Sequence, residues 1–251
     1  WEVKVDVALQ NDGAKPRQLR LRHQLIAPNG RVVARCEGGA KGQVLVVRKP
    51  VLWDIYQGNV YQVVTEVVAD GQIVDRVSTP TAFRSFRFDA KTGFWLNGKN
   101  LKINGVCEHH DLGALGAALN EDALHRKLVR LKEMGVNAIR CSHNPPAPEL
   151  LNMCDTMGLV VMDESFDMWR RRKTKNDYAR FFDEWHERDL SDLVRRDRNH
   201  PSIIVWSIGN EVLEQWSGAD ADELTLEQAN LILNAGHDAS TLAHGDDMSP
   251  N

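Results

Sequence analysis

Long apolar runs are missing from this chain. The longest, Val44-Leu45-Val46-Val47 and Ile203-Ile204-Val205-Trp206, are strand-length, far short of the ~20 residues with which a helix crosses a bilayer. No membrane-spanning helix is therefore expected. Cysteine is scarce too: Cys36, Cys107, Cys141 and Cys154 stand apart with no CxxC spacing, which argues against a zinc site or disulfide framework and for buried thiols. Charge of one sign is lacking, since 31 basic and 35 acidic residues leave a net −4, and nucleic acid is not expected as a partner. The one cationic run, Arg170-Arg171-Arg172-Lys173, reads as a solvated loop face, with phosphate binding as the alternative. Trp1 opens inside an alternating strand pattern, with neither initiator Met nor signal peptide, and the compartment stays open. What is present, 42% hydrophobic and 26% charged residues over 251 positions, is the composition of a globular chain and excludes disorder, collagen and long coiled coil.

Two textures follow one another. Up to residue 84, short alternating segments are punctuated by turns. Val3, Val5, Val7 and Leu9 have period two before Asn11-Asp12-Gly13; residues 19–22, 32–34, 43–47, 61–68 and 73–77 read as further strands. Asp70-Gly71 is a strong hairpin signal. About seven short strands without a helix point to an immunoglobulin-like β-sandwich over residues 1–84. After residue 88 apolar strands (101–106, 138–140, 160–162, 203–207) alternate with amphipathic helices (121–134, 148–157, 178–196). Asn120 is a good N-cap, Pro148 opens a helix, and Gly135 and Gly158 close two of them. This repeated βα unit implies a parallel sheet and, in sequential order, the first four units of a (β/α)8 TIM barrel over residues 85–251.

In such a barrel, functional groups sit at the C-terminal strand ends. There the chain places Cys107-Glu108-His109-His110-Asp111, Arg140-Cys141-Ser142-His143, Asp163-Glu164-Ser165-Phe166-Asp167 and Gly209-Asn210-Glu211. Glu211, just past a buried strand and beside Trp206, is placed where burial favours a protonated carboxyl suited to general acid work. Its bland alternative is a solvent-facing or helix-capping Glu. Zinc on His109, His110 and His143 is a weaker reading, because adjacent histidines seldom aim at one ion. Trp169 and Trp216 either stack on a sugar face or anchor their loops.

The stretch from Arg195 through His200-Pro201-Ser202 into Trp206-Ser207-Ile208-Gly209-Asn210-Glu211 resembles the signature of glycoside hydrolase family 2. Asn97-Gly98-Lys99 leading to Ile103-Asn104-Gly105-Val106, Arg140-Cys141-Ser142-His143, Val161-Met162-Asp163-Glu164 and Leu52-Trp53 are similar to further motifs of that family. The resemblance implies a retaining glycosidase, β-galactosidase first, with Glu211 as general acid/base and Asn210 on the sugar 2-hydroxyl. It implies supporting substrate contacts from His143, Arg140, Asp163, Glu164 and His109. Arg140 otherwise forms a structural salt bridge, with Asp163 or Glu164 as its partner. The loop after Glu164 departs from the Glu-x-His magnesium site of enteric-type β-galactosidases, so no metal and no cofactor is expected there. β-Glucuronidase, β-mannosidase and a non-catalytic carbohydrate-binding module remain alternatives.

By the same resemblance the nucleophile is a second Glu from a later strand. None is evident after Ser207, where residues 218–251 read as an acidic loop and a helix at 224–236. Residues 85–251 fall well short of the roughly 250 of a full barrel. The chain is thus expected to be an internal piece of a larger glycosidase, inactive alone, with open sheet edges that favour self-association. A homo-oligomer of the full-length enzyme stays open.

Overall fold

The structure, a computed structural model, describes residues 1–13 and 18–217. These form two compact units. One comprises Trp1–Ile103 with Asn152–Val160 and Asn199–Ser202; the other comprises Asn104–Leu151, Val161–Arg198 and the described residues from Ile203 on.

The first unit is built on antiparallel strands: β1 (Glu2–Val5), β2 (Leu19–Ile26), β3 (Val32–Gly38), β4 (Gln43–Val46), β5 (Tyr61–Ala69) and β6 (Gln72–Thr81). β3-β2-β5-β6 make one sheet and β1-β4 another. Period two in β2 buries Leu21, His23 and Leu25 and leaves Arg20 and Arg22 in water. Asp70 and Gly71, at φ 52° and 81°, supply the doubly positive turn that matches strand twist in a two-residue hairpin. The sheets meet over Leu25, Leu45, Val47, Tyr61, Val63 and Phe83, each large side chain contributing about 1.5–3 kcal/mol on burial. This is the expected immunoglobulin-like sandwich. Trp53 is wholly buried and its Nε1 donates to the Asp155 carbonyl at 2.7 Å. The Asp155 carboxylate accepts from Ser202 N (3.0 Å) and meets His200 Nδ1 (2.6 Å). These bonds tie residues 152–160 and 199–202 into the unit.

A three-stranded meander of β7 (Phe86–Asp89), β8 (Gly93–Leu96) and β9 (Lys99–Leu101) was not among the expected strands. Its second turn is Asn97-Gly98, with φ 50° and 77°. The strand expected over 101–106 is accordingly split. Asn104 exchanges bonds with Asn137 (2.8 and 2.9 Å), and parallel pairing begins only at Gly105 opposite Ala138. A Cβ on Gly105 would lie 3.3 Å from that of Ala138, so the close approach favours glycine.

Strands β10 (Gly105–His109), β11 (Ala138–Ser142), β12 (Val160–Glu164) and β13 (Ile203–Ser207) form one sheet in chain order. Pairing is parallel between β10 and β11 and between β12 and β13. Helices α1 (Glu121–Glu133), α2 (Pro148–Met157) and α3 (Phe182–Asp197) alternate with these strands. The arrangement is that of the first four βα units of a TIM barrel, as expected. In α1 the Asn120 Oδ1 accepts from Ala123 N (2.9 Å), a cap that contributes about 1 kcal/mol, and Leu124 and Leu128 are buried. A 3-10 turn at Tyr178–Arg180 precedes α3, which therefore begins at Phe182 rather than Tyr178. A short α4 (Glu214–Ser217) carries the Trp216 position; the helix expected at 224–236 lies outside the described residues. Among the described residues no helix is long and apolar enough to cross a membrane.

Candidate active site

Strand alternation builds the site. Arg140 in β11, Glu164 at the end of β12 and Ser207 at the end of β13 converge. Glu164 is wholly buried and accepts a two-pronged bond from Arg140, Nε to Oε2 at 2.9 Å and Nη2 to Oε1 at 3.1 Å. Ser207 Oγ donates to Oε2 (2.8 Å), and His143 Nδ1 stands 2.7 Å from Oε1. Charge-assisted forks of this kind are short, strong and directional.

Arg140 continues outward. Its Nη2 also donates to Asn210 Oδ1 (2.8 Å), and Asn210 Nδ2 donates to Asp167 Oδ1 (2.9 Å). The buried Asn210 amide is thereby fixed in one orientation. Lys173 Nζ donates to the same Asp167 oxygen (2.9 Å) and to the Asn210 carbonyl (2.7 Å). Burial pushes the Asp167 carboxyl up, but the bonds from Asn210 and Lys173 and the Lys173 charge outweigh it and hold the group below its ordinary value. Glu211 follows with left-handed backbone, φ 44°, its side chain 48% exposed and Oε2 3.9 Å from Lys173 Nζ. The expected burial of Glu211 beside Trp206 is not found. The turn presents its carboxyl at an open surface, and Trp206 is itself exposed.

The structure thus brings together Arg140, His143, Glu164 and Asn210, with Glu211 adjoining through Lys173. His109 reaches them by an edge-to-face contact with His143, ring centroids 5.2 Å apart. Asp163 must be corrected. Next to Glu164 in β12 it faces the other side of the sheet, where it lies wholly buried against Asp197. Asp197 is engaged by the Arg196 fork (2.6 and 2.7 Å). Asp163 neither lines the site nor pairs with Arg140. Burial, then the Asp197 charge, pushes its carboxyl from 3.8 up to about 7, so the folded chain favours the protonated acid. Below the ordinary value both folded and unfolded chains hold this proton. Between about 4 and about 7 only the folded chain does, so this group makes stability fall as pH rises through that window, by at most about 4 kcal/mol. Asp163→Asn is expected to flatten that slope in denaturant titrations of the intact protein; an unchanged slope would remove the assignment.

Further differences concern residues whose face the sequence left unreadable. Cys107 is exposed, not buried: parity in β10 puts it on the side of His109, with Sγ 3.9 Å from Arg140 Nη1, while Glu108 turns the other way to an ion pair with Lys127. His110 lines a water-sized hollow of about 30 Å³ with Glu108, Leu112 and Leu124, so the three histidines do not converge. Among the described residues no cluster of three or more His, Cys, Asp or Glu is placed to hold a metal ion. Lys173, read as part of a solvated run, is a site residue only 19% exposed. Asp167 and Ser207 were likewise missed; Asp167 stood in the loop compared for magnesium, where its pairing with Lys173 had no local signal. Trp169 anchors its loop, donating from Nε1 to the Ile208 carbonyl (2.8 Å).

Comparison with known proteins follows the same lines. Residues 1–84 match the family described as Glycosyl hydrolases family 2, and residues 89–231 match Glycosyl hydrolases family 2, TIM barrel domain. The chain is 61% identical over 209 residues to Beta-galactosidase BoGH2A of Bacteroides ovatus, covering 83% of this chain and 25% of that one. A β-glycosidase structure from Bacteroides vulgatus superposes with TM-score 0.76 at 42% identity, covering 89% of this chain and 28% of that one. Bacteroides uniformis β-glucuronidase 2, covalently bound to cyclophellitol-6-carboxylate aziridine, superposes with TM-score 0.70 at 31% identity, covering 93% and 28%. The chain spans about a quarter of the length of these relatives. With both of its segments matched in order and the strand-end cluster in place, the chain belongs to glycosyl hydrolase family 2, a family of glycosidases acting on carbohydrates.

Proposed function

We propose that this chain carries the acid/base half of a retaining β-galactosidase. Glu211 protonates the glycosidic oxygen as the bond to the sugar's anomeric carbon breaks, and a nucleophilic carboxylate supplied by a later part of the protein bonds that carbon. Water then attacks, giving its proton to Glu211 and releasing the nucleophile. Such a pair stands roughly 5–5.5 Å apart. The observation that carries this reading is the buried Asn210 amide. Arg140 and Asp167 lock it immediately before Glu211, as a group that binds a sugar hydroxyl next to the reacting bond must be locked. Arg140 fixes Asn210 and Glu164, and His143 and His109 face the same region to contact sugar hydroxyls. The covalent adduct of the Bacteroides uniformis relative supports a course with retention.

β-Galactoside is favoured over β-glucuronide by the charges of the cluster. A glucuronide brings its own carboxylate, yet Arg140 is engaged by Glu164 and Lys173 by Asp167. Comparing kcat/KM for aryl β-galactoside, β-glucuronide and β-mannoside on the intact protein tests this. A preference for galactoside of at least about 10-fold is expected from the cost of a charged group without a partner. The reverse order would replace galactosidase by glucuronidase or mannosidase, and turnover of none would favour a binding module.

The two carboxylates bonded into this cluster, Glu164 and Asp167, are tied to Arg140 and Lys173, and in this reading the nucleophile comes from a later part of the protein. The isolated 251-residue chain is accordingly inactive in this reading. Hydrolysis by the purified chain would overturn that.

A further inference from the structure

The backbone of the turn that delivers Glu211 is bonded at three points to one segment, residues 166–173. The Phe166 carbonyl accepts from Asn210 N (2.9 Å), Trp169 Nε1 donates to the Ile208 carbonyl (2.8 Å), and Lys173 Nζ donates to the Asn210 carbonyl (2.7 Å). A left-handed backbone at a residue with a side chain persists only when its surroundings hold it. The Asn210 carbonyl belongs to the peptide group that enters Glu211, so the bond from Lys173 fixes that plane. The same ammonium lies 3.9 Å from the Glu211 carboxylate and is anchored by Asp167, which also orients the Asn210 side chain.

We propose that Lys173, anchored by Asp167, is the positioning residue of the acid/base turn. It aims the Glu211 carboxyl at the leaving-group oxygen and stabilises the carboxylate that remains once the proton is given up. It touches neither sugar nor reacting bond. The proposal rests on Glu211 being the acid/base, and the two ideas fail separately.

The test compares phenyl and 2,4-dinitrophenyl β-galactosides with the intact protein and its K173M, D167N and E211Q variants. An activated dinitrophenolate departs without a proton, whereas phenolate departure needs one. K173M is expected to lose about 10–10²-fold in kcat/KM on the phenyl substrate, a share of what a general acid contributes, and less than about 3-fold on the dinitrophenyl substrate. D167N, which keeps the size of the anchor but removes its charge, should lose some activity on both substrates through Asn210, which Asp167 also orients, and clearly more on the phenyl one; it guards against a K173M protein that does not fold. Equal losses on both substrates in both variants would reduce Lys173 to a structural prop, and no loss on the phenyl substrate would also overturn the proposal. If E211Q itself retains the phenyl rate, the acid/base assignment fails; if E211Q is selective and the other two are not, the Lys173 role alone fails.

Discussion

Glu211→Gln in the intact protein is expected to lower kcat/KM on a phenyl β-galactoside by about 10²–10⁴-fold, the usual contribution of a general acid. The amide has the size of the carboxyl but no proton to give to the departing oxygen. Little else should change, because the Glu211 side chain is 48% exposed and its ion-pair contact among the described residues is a long one, to Lys173 at 3.9 Å. Stability should therefore stay within about 0.5 kcal/mol of the parent, as for most exposed substitutions. On the dinitrophenyl substrate the first step should persist, and the missing base should slow the second, so that a covalent glycosyl-enzyme accumulates and appears as a burst of dinitrophenolate. An unchanged phenyl rate would show that another group donates the proton.

Glu164→Gln should act through a different route and damage stability as well. Glu164 is wholly buried and gathers Arg140, His143 and Ser207. A glutamine keeps the volume but leaves the Arg140 charge without its counter-ion. Removing one partner of a buried pair typically costs about 3–5 kcal/mol; with the Arg140 side chain 26% exposed, the low end is expected. Since Arg140 also holds Asn210, the substituted enzyme should bind sugar less well, and its kcat/KM should fall on phenyl and dinitrophenyl substrates alike. That pattern separates it from E211Q. A variant as stable as the parent by urea titration would mean that Arg140 finds other partners.

The elements best read from sequence were those with chemical punctuation. Pro148 and Gly158 bracket α2, Asn120 and Gly135 bracket α1, and each helix lies where its signals put it. The apolar run 203–207 became β13 unchanged. The meander was obscured because β7, β8 and β9 are three or four residues long, too short for alternation to register. Within the site, Arg140, His143, Glu164 and Asn210 could be named because each ends or follows an apolar strand. Which of Asp163 and Glu164 turns inward could not be decided, since β12 is buried on both faces and parity then leaves no trace in hydrophobicity. Lys173 was hidden for a related reason. A cation beside three arginines looks solvated until the fold brings Asp167 and the Asn210 carbonyl to it.

Trp53 bears on how portable the β-sandwich is. Its indole proton ends on the carbonyl of Asp155, about a hundred residues downstream in the chain, and the Asp155 carboxylate secures Ser202 further on. A sandwich excised as a contiguous stretch would carry an apolar ring with a donor and nothing to receive it. Grafting this module onto another catalytic scaffold, or recombining it among relatives, thus requires the recipient to supply a matching carbonyl. Lineages that shuffle such modules should exchange the segments around Trp53, Asp155 and Ser202 together.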